Sequence, residues 1–461
     1  MSSETATVEH SRANGLVIRS VVATSVGGLI FGFDTAVISG TTKSLGAVFN
    51  LNPQSLGFTV ASATIGTIVG ALSGGGLADK YGRKKLLFAI GALFLLGSLG
   101  TALAPASAYW LFLGSRFFGG VGVGMASVCA PIYIAKIARG RLVGLVQFNI
   151  VLAILVSYAS NAIIRAIAPH DTAWRWMLGI MAVPSIIFLL LLFTVPETPR
   201  WLMSQGREEQ AKAISLKLCS SQEESDQELA DIKQQIQRDL EQSKTKVKFF
   251  SKCYRKVILM AIAIAAFNQL SGINAILYYA PMVMQETGAG ENASYLMSIA
   301  VGFMNLVATM TALTVIDKLG RRTLMLVGSI GYLVSLGFLT FVMFRFEGHF
   351  TSGSSVLVLI GILVFIAAHA FGQGSAIWVF ISEIFPNKVR GAGQSVGSTT
   401  HWTFAAITSG VFPSMIAFPG GGWSFFIFFL CMCGQLLWVL KVMTETKEIP
   451  LEEMSKKLGV E

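Results

Sequence analysis

Charge is what this sequence has least of. Asp, Glu, Lys and Arg make up only 13% of its 461 residues, against 53% hydrophobic. That is about half the charged share of an ordinary soluble domain. So few charges could not cover a water-soluble fold of this size, and the mean hydropathy of +0.64 agrees. Low charge combined with high hydrophobicity also excludes disorder. The 47 glycines follow no G-x-y repeat, which excludes a collagen-like chain. Cysteine is scarce as well. Cys129, Cys219, Cys253, Cys431 and Cys433 form neither a paired extracellular framework nor a C-x2-C metal site, and they read as reduced and structural. The net charge of +10 does not indicate nucleic acid, because the basic residues are scattered through short loops and not gathered on one face. The N-terminus, MSSETATVEHSRANG, is polar and acidic and precedes no A-x-A-type site, so no cleaved signal peptide is expected. What remains is a polytopic protein of the lipid bilayer.

Twelve apolar stretches are each long enough to cross a membrane, which takes about 20 residues. They fall at 17–40, 55–77, 86–104, 109–135, 142–165 and 174–195, then at 255–285, 292–316, 323–344, 355–382, 392–416 and 422–442. A polar segment separates the two sets. Its apolar residues Ala211, Ile214, Leu218, Leu229, Ile232, Ile236 and Leu240 recur at three- and four-residue spacing, the mark of short amphipathic helices lying on the inner membrane face. The expected domains are an N-terminal six-helix bundle over 1–201, an intracellular helical linker over 202–252, a C-terminal six-helix bundle over 253–443 and a cytoplasmic tail over 444–461.

Short loops on one side carry Lys80, Arg83, Lys84, Lys85, Lys136, Arg139, Arg141, Lys318, Arg321, Arg322, Lys388 and Arg390. The other side carries only Lys43, Arg165, Arg175 and Arg345. The basic side is cytoplasmic by the positive-inside rule, which puts both termini and the linker inside. The halves also repeat: the loop Asp79-Lys-Tyr-Gly82-Arg83-Lys84 returns as Asp317-Lys-Leu-Gly320-Arg321-Arg322. Pro196-Glu197-Thr198-Pro199-Arg200 has a fainter echo in Thr444-Glu445-Thr446-Lys447. Ordinary positive-inside loops explain the basic residues but not their matched order. Two six-span halves with matched inner loops point to a transporter that rocks about a central site.

Seven segments carry a more specific signal: GGLIFGFDTAVISG (27–40), GRKK, RFFGGVGVGMAS (116–127), PETPR, NQLSGINAILYYAP (268–281), DKLGRR and WVFISEIFPNKVRG (378–391). On these the chain resembles the major facilitator superfamily, and within it the sugar porters. The resemblance implies an all-α membrane protein of twelve transmembrane helices in two six-helix halves. It further implies a monomeric carrier of the plasma membrane that works by alternating access without a cofactor, and not an enzyme. An intramembrane enzyme would show a His/Asp/Glu cluster or a Ser dyad, and a receptor would need a signalling domain; neither is legible.

Asp34 and Arg116 are the most informative charges. An ionised residue within a span costs about 2.5–3.5 kcal/mol on insertion scales, so it is retained for a role. Both lie roughly 9 Å beneath the outer surface at 1.5 Å per residue, level enough to pair. A carboxylate that pairs alternately with a proton and with an arginine is a coupling switch; a static ion pair is the competing reading. The resemblance favours the switch, because proton-coupled sugar porters carry an acid at this position. A passive sugar or polyol uniporter is the alternative.

Recognition of a monosaccharide needs neutral amides for its hydroxyls and an aromatic face for its C–H surface. Gln147, Asn268, Gln269, Asn274, Asn305, Trp378, His401 and Trp402 supply both types, and the sugar porter pattern places ligand contacts at these positions. Ile154 stands where xylose symporters have Gln, which tilts the expectation towards a hexose. His401 replaces the usual Gln or Asn, Asn268 the first Gln of Gln-Gln-Leu-Ser-Gly, and Ser375 the common Pro. The expected gating residues are Tyr278, Tyr279, Asp79, Arg83, Glu197, Arg200, Asp317, Arg321, Glu383 and Arg390. Between spans 4 and 5 the chain reads Tyr133-Ile-Ala-Lys136-Ile-Ala-Arg139-Gly140, lacking the acid and about four residues of the family pattern, whereas Glu383-x6-Arg390 is intact. A weaker inner gate and a bias towards the inward-open state follow as expectations. Gly119-Gly-Val-Gly-Val-Gly124 mimics a nucleotide fingerprint, but it lies within a span and reads as helix packing. His10, His170 and His349 have no metal-ligand spacing.

Overall fold

The computed structural model describes residues 15–137, 144–219, 221–244, 249–386 and 388–460. Among these described residues, eleven helices or helix pairs are long and apolar enough to cross a bilayer: spans 1 to 6 over Gly15–Gly40, Pro53–Tyr81, Arg83–Leu103, Tyr109–Ala130, Gln147–Ile167 and Ala173–Leu192, spans 7 to 10 over Arg255–Glu286, Glu291–Ile316, Arg321–Phe346 and Ser352–Ile384, and span 12 over Gly421–Lys441. Span 11 is the helix Arg390–Ala417. It is long enough, but its run Gln394 to His401 of amide, hydroxyl, glycine and imidazole residues depresses its hydropathy. That polar face belongs to the interior, as shown below. The protein is therefore an all-helical, twelve-span molecule in two halves.

Sequence marks many of the helix ends. Asn52 caps span 2, its side chain accepting from Ser55 N at 2.8 Å, with Pro53 at the first helical position. Thr351 and Ser354 form a reciprocal capping box at the start of span 10, which satisfies two N–H groups no helix can satisfy alone. Within the N-terminal half, spans 2 and 4 pack backbone to backbone. A Cβ at Gly120 would meet the Ala63 carbonyl, and one at Gly124 the Thr67 carbonyl. The glycine run 119–124 is thus close helix packing of the small-residue kind.

The linker forms three helices, Pro199–Ser204, Glu208–Leu218 and Gln222–Lys244. Their apolar residues turn towards one another: Trp201, Leu202 and Ala211 make a small core with Met203, Ile214 and Leu229 packed on it.

The repeated loops are built alike down to the backbone. Gly82 and Gly320 both close one span and open the next at positive φ (96° and 85°), a conformation that other residues adopt only with strain. At each, a carboxylate from the far end of the same half caps the new helix. Glu197 accepts from Arg83 N at 3.2 Å and Lys84 N at 3.0 Å; Glu445 accepts from Arg321 N at 2.9 Å and Arg322 N at 3.0 Å. The faint echo after span 12 is thus the structural counterpart of PETPR. A negative charge on two N-terminal N–H groups is stabilised by the helix dipole as well as by the hydrogen bonds.

The halves join through spans 2 and 11 and through spans 5 and 8. Four side-chain bridges pin them at the end away from the linker: Arg165 to Glu291 (2.8 Å), Lys43 to Gln285 (3.2 Å), Tyr295 OH to Gly40 O (2.7 Å) and Tyr158 OH to Leu277 O (2.6 Å). At the linker end, the described contacts of Arg83 with Asp79 and of Arg321 with Glu383, both at 2.9 Å, stay within one half. Arg139 and Gly140, on which part of the gating expectation falls, lie outside the described residues, as do the side chains of Lys136 and Asp317.

Replacing Glu445 by Ala should strand two N–H groups at the start of span 9 and cost about 1–3 kcal/mol. The expected result is a thermal unfolding midpoint several degrees lower in detergent, and Glu197→Ala should match it. Equal midpoints for variant and wild type would show that water caps these helices as well as the carboxylates do.

Candidate functional site

Spans 7 and 10 each break near mid-span, and those breaks position the site. Span 7 divides at Ser271-Gly272, where Gly272 takes φ 86°. Asn268 and Gln269 therefore sit at the end of its first part, and Asn274 in the first turn of its second. Span 10 divides at Gly372, and Trp378 projects from its second part. All of Asn268, Gln269, Asn274 and Asn305 are buried. Gln269 Nε2 donates to Asn268 Oδ1 at 2.9 Å and lies 3.2 Å from His401 Nε2. His401 sits between two indoles, 5.1 Å from the Trp378 ring and 4.9 Å, edge-on, from Trp402. Amides and aromatic faces from spans 7, 10 and 11 thus converge on one place. Gln269 Oε1 is buried without a partner there, an acceptor that would welcome a hydroxyl donor.

From span 5, Gln147 is half-buried and Ile154 buried, two turns apart on one face. Trp378 is 41% exposed although it lies against His401.

Asp34 and Arg116 meet as expected. Arg116 Nη1 donates to Asp34 Oδ1 at 2.8 Å, and both side chains are buried. Arg116 Nε has no partner. The pair borders a cavity of about 10 Å³ lined by Phe31, Thr64, Tyr278 and Trp402 among others, room for about one water. Two of those neighbours, Tyr278 and Trp402, come from the other half. Phe31, one helical turn before Asp34, packs edge-on against Trp402 at 5.8 Å. The charged pair and the amide cluster therefore share Trp402 as a common wall.

Tyr279 lies at a non-helical point of span 7 (φ −124°, ψ 17°) two residues before Pro281. Its hydroxyl donates to Ser409 O at 2.9 Å. Pro281 lacks the N–H that would bond Leu277 O, and Tyr158 of span 5 takes that carbonyl instead. A backbone defect in one half is thus answered by a side chain of the other half. Sequence reading missed Tyr158 and Tyr295; the signal for the first was the proline four residues after Leu277.

Among the remaining gating candidates, Glu383 binds Arg321 and accepts from Thr446 Oγ1 at 2.6 Å. Arg200 donates to Gln235 of the linker at 3.0 Å. Arg390 Nε and Nη2 are buried without partners, so this cation is held at the inner end of span 11 without pairing through those two atoms.

A family model, Sugar (and other) transporter, matches residues 20–458. The chain belongs to this sugar porter family. It is a transporter and not an enzyme, and an integral membrane protein. It is 34% identical to the D-xylose-proton symporter of Escherichia coli K12, over 94% of each chain. It is 34% identical to the arabinose-proton symporter of Bacillus subtilis, over 97% of this chain and 96% of that one. Identity to the glucose transporter GlcP of Staphylococcus epidermidis is 33%, over 94% and 95%. The inward open conformation of the xylose transporter XylE from E. coli matches with a TM-score of 0.84 at 32% identity, covering 96% of this chain and 99% of that one. XylE bound to 6-bromo-6-deoxy-D-glucose matches at 0.77, with 33% identity and the same coverage.

Removing the Tyr158 hydroxyl tests whether the inter-half bond holds the outer end shut. Tyr158→Phe leaves Leu277 O without a donor and should weaken closure by about 1 kcal/mol, roughly a fivefold shift in population. In a background without the native cysteines, a Thr64→Cys reporter should label several times faster with an impermeant maleimide applied from the side opposite the linker. An unchanged labelling rate would mean the bond is incidental to closure.

Proposed function

We propose that this protein carries a monosaccharide inward across the plasma membrane together with a proton, by alternating access, with both termini and the linker in the cytoplasm. The observation that carries the reading is the buried Asp34–Arg116 pair against a wall supplied by the opposite half. While Asp34 is ionised, Arg116 neutralises it, and neither charge can be removed singly without stranding the other at a cost of about 3–5 kcal/mol. A proton on Asp34 ends that neutralisation without breaking any covalent bond. Arg116 is then a buried cation with a weaker acceptor, and the packing of Phe31 and Tyr278 around the pair is biased towards another arrangement.

That bias has a physical route to the sugar. Phe31 moves with Asp34 and rests on Trp402; Trp402 adjoins His401, and His401 lies against Gln269. A sugar bound between the indoles and the amides thus feels the same wall that the charged pair sets. The relatives named for proton symport with xylose and arabinose support the coupled reading over a passive uniporter. The buried, apolar Ile154 supports a hexose over a pentose. The pinned outer end, together with the similarity to an inward open relative, supports a carrier resting inward-facing, as the loop lacking an acid at Lys136 leads one to expect.

Proteoliposome uptake of labelled pentoses, hexoses and inositol under an imposed pH gradient is the direct test. Wild type should accumulate a hexose when the outside is acidic. Asp34→Asn should lose accumulation by more than tenfold yet retain sugar exchange at equal pH. Gradient-driven accumulation by Asp34→Asn equal to wild type would remove the aspartate from coupling, and a wild type indifferent to pH would establish the uniporter.

A further inference from the structure

One of the bridges that join the halves at the end away from the linker has a histidine beside it. Arg165 stands in the last turn of the span 5 helix, and Glu291 is the first residue of the span 8 helix. A cation at a helix C-terminus and a carboxylate at a helix N-terminus each meet the favourable end of a helix dipole. Glu291 Oε1 accepts from Arg165 Nε at 2.9 Å and lies 2.8 Å from Nη2. The arginine side chain is only 6% exposed and the glutamate 39%. Arg165 Nη2 has a second partner, Nδ1 of His170, an exposed residue of the loop between spans 5 and 6.

The chemistry of that contact fixes where the proton is. A guanidinium has donors and no acceptor, so His170 Nδ1 must be the acceptor, with its lone pair turned to Arg165. The imidazole is therefore neutral in this arrangement. A ring that took up a proton would carry N–H groups on both nitrogens, and one of them, with a positive charge, would face the arginine. Contact and proton exclude one another. The charged groups around the ring are otherwise engaged or open to water. Arg175, at the start of span 6, donates to Ala102 O at 2.8 Å and Ala104 O at 2.7 Å. On span 8, Glu291 is held by Arg165, and Tyr295 one turn further on bonds Gly40 O. Lys43 reaches Gln285 at the end of span 7. Asp171, next to His170 in the chain, is exposed. Of these side-chain types, imidazole is the one that ordinarily changes charge between about pH 5 and 8.

We propose that His170 is a second proton site of this carrier, at the mouth opposite the linker: the neutral ring completes the clasp of Arg165 on Glu291 that holds the halves together there, and a proton on the ring releases it. The naming of that mouth as the outer one rests on the orientation proposed above; the clasp itself does not depend on which sugar is carried. Because the proton is taken up only as the contact parts, the clasp is complete at neutral pH and is lost as pH falls. The ring is exposed, so water screens the repulsion and the effect is a bias of a few fold, not an all-or-none release. Acidity outside thus loosens the mouth through which a proton reaches the buried Asp34, and the two sites act in sequence.

The test is the distance between spin labels placed by Ser107→Cys and Ser352→Cys, exposed positions at that end of the two halves. The labels go into the full chain without its native cysteines, in lipid nanodiscs, attached at one pH and measured at about pH 7.5 and about pH 5.5, either side of the ordinary imidazole range. With His170 present, the fraction at long distance should rise about fivefold on acidification, the worth of one hydrogen bond. The rise should persist in Asp34→Asn, which removes the buried acid. His170→Gln offers Arg165 a carbonyl that never charges, and its fraction should stay at the neutral-pH value throughout. His170→Lys, charged at both values, should show the larger fraction at both. No rise with His170 present, a full rise in His170→Gln, or a rise abolished by Asp34→Asn overturns the proposal. Should His170→Lys fail to fold, Glu291→Gln decides in its place: the fraction should already be raised at neutral pH and gain less than about twofold on acidification, and a response equal to that of the intact clasp overturns the proposal. The readout needs no sugar. A carrier that moves no monosaccharide ends the transport reading, while an acid-opened mouth that His170→Gln keeps shut still upholds the clasp.

Discussion

A backbone carbonyl or N–H left open inside a bilayer has no water to turn to, so every break in a spanning helix must be answered by another part of the protein. In this carrier the answers define the conformation. Span 1 ends in a tight turn, Ile38–Gly40. Its carbonyls are taken by Ser157 at Phe33 O (3.1 Å) and Asn161 at Val37 O (3.1 Å) from its own half, and by Tyr295 at Gly40 O from the other. Span 7 loses a bond at Pro281 and recovers it from Tyr158 across the interface. The breaks at Gly40 and Pro281 are therefore features that tie the halves together, while those at Gly272 and Gly372 shape the amide cluster. Separating the halves at the end away from the linker requires the Gly40 and Leu277 carbonyls to find new donors, which makes such a movement a switch between discrete bonding patterns.

The linker end follows the opposite rule. Its strongest polar contacts are internal to each half: Glu197 and Glu445 cap helices whose glycine-led starts would otherwise be open, and Glu383 holds Arg321 in place. Because these carboxylates are already satisfied within one half, closing the inner end has to redeploy them or rely on weaker partners. The C-terminal half retains an acid in span 10 for that purpose. The N-terminal half has Lys136 at the corresponding place, and Arg83 bonds Asp79 one turn before it. The bonds between halves are thus concentrated at the end away from the linker, and those at the linker end stay within each half.

Much of this was legible in the residues. Apolar runs located the spans to within a few positions, because a bilayer thickness leaves little freedom in length. The matched Gly82 and Gly320 loops gave the two halves, since a positive φ admits few residues besides glycine. The pairing of Asp34 with Arg116 followed from depth alone. Other features were not legible. Span 11 is polar because it lines the interior, so hydropathy understates it. Glu445 looked like a faint echo because a helix cap depends on where a carboxylate ends up in space, and four residues of weak similarity carry no sign of that. Tyr158 and Tyr295 escaped because a tyrosine in an apolar run reads as filler until its partner, here a backbone carbonyl, is known.

The amide cluster and the charged pair are separate centres that meet at one side chain. Gln269 spends its donor on Asn268 and His401 and keeps a buried acceptor open, so the empty site carries an unmet hydrogen bond. Arg116 likewise holds a buried Nε without a partner. Each centre is incomplete, and Trp402 touches both. The two centres are thereby joined through one side chain: whatever moves the Trp402 indole at the amide cluster also moves a wall of the Asp34–Arg116 pair.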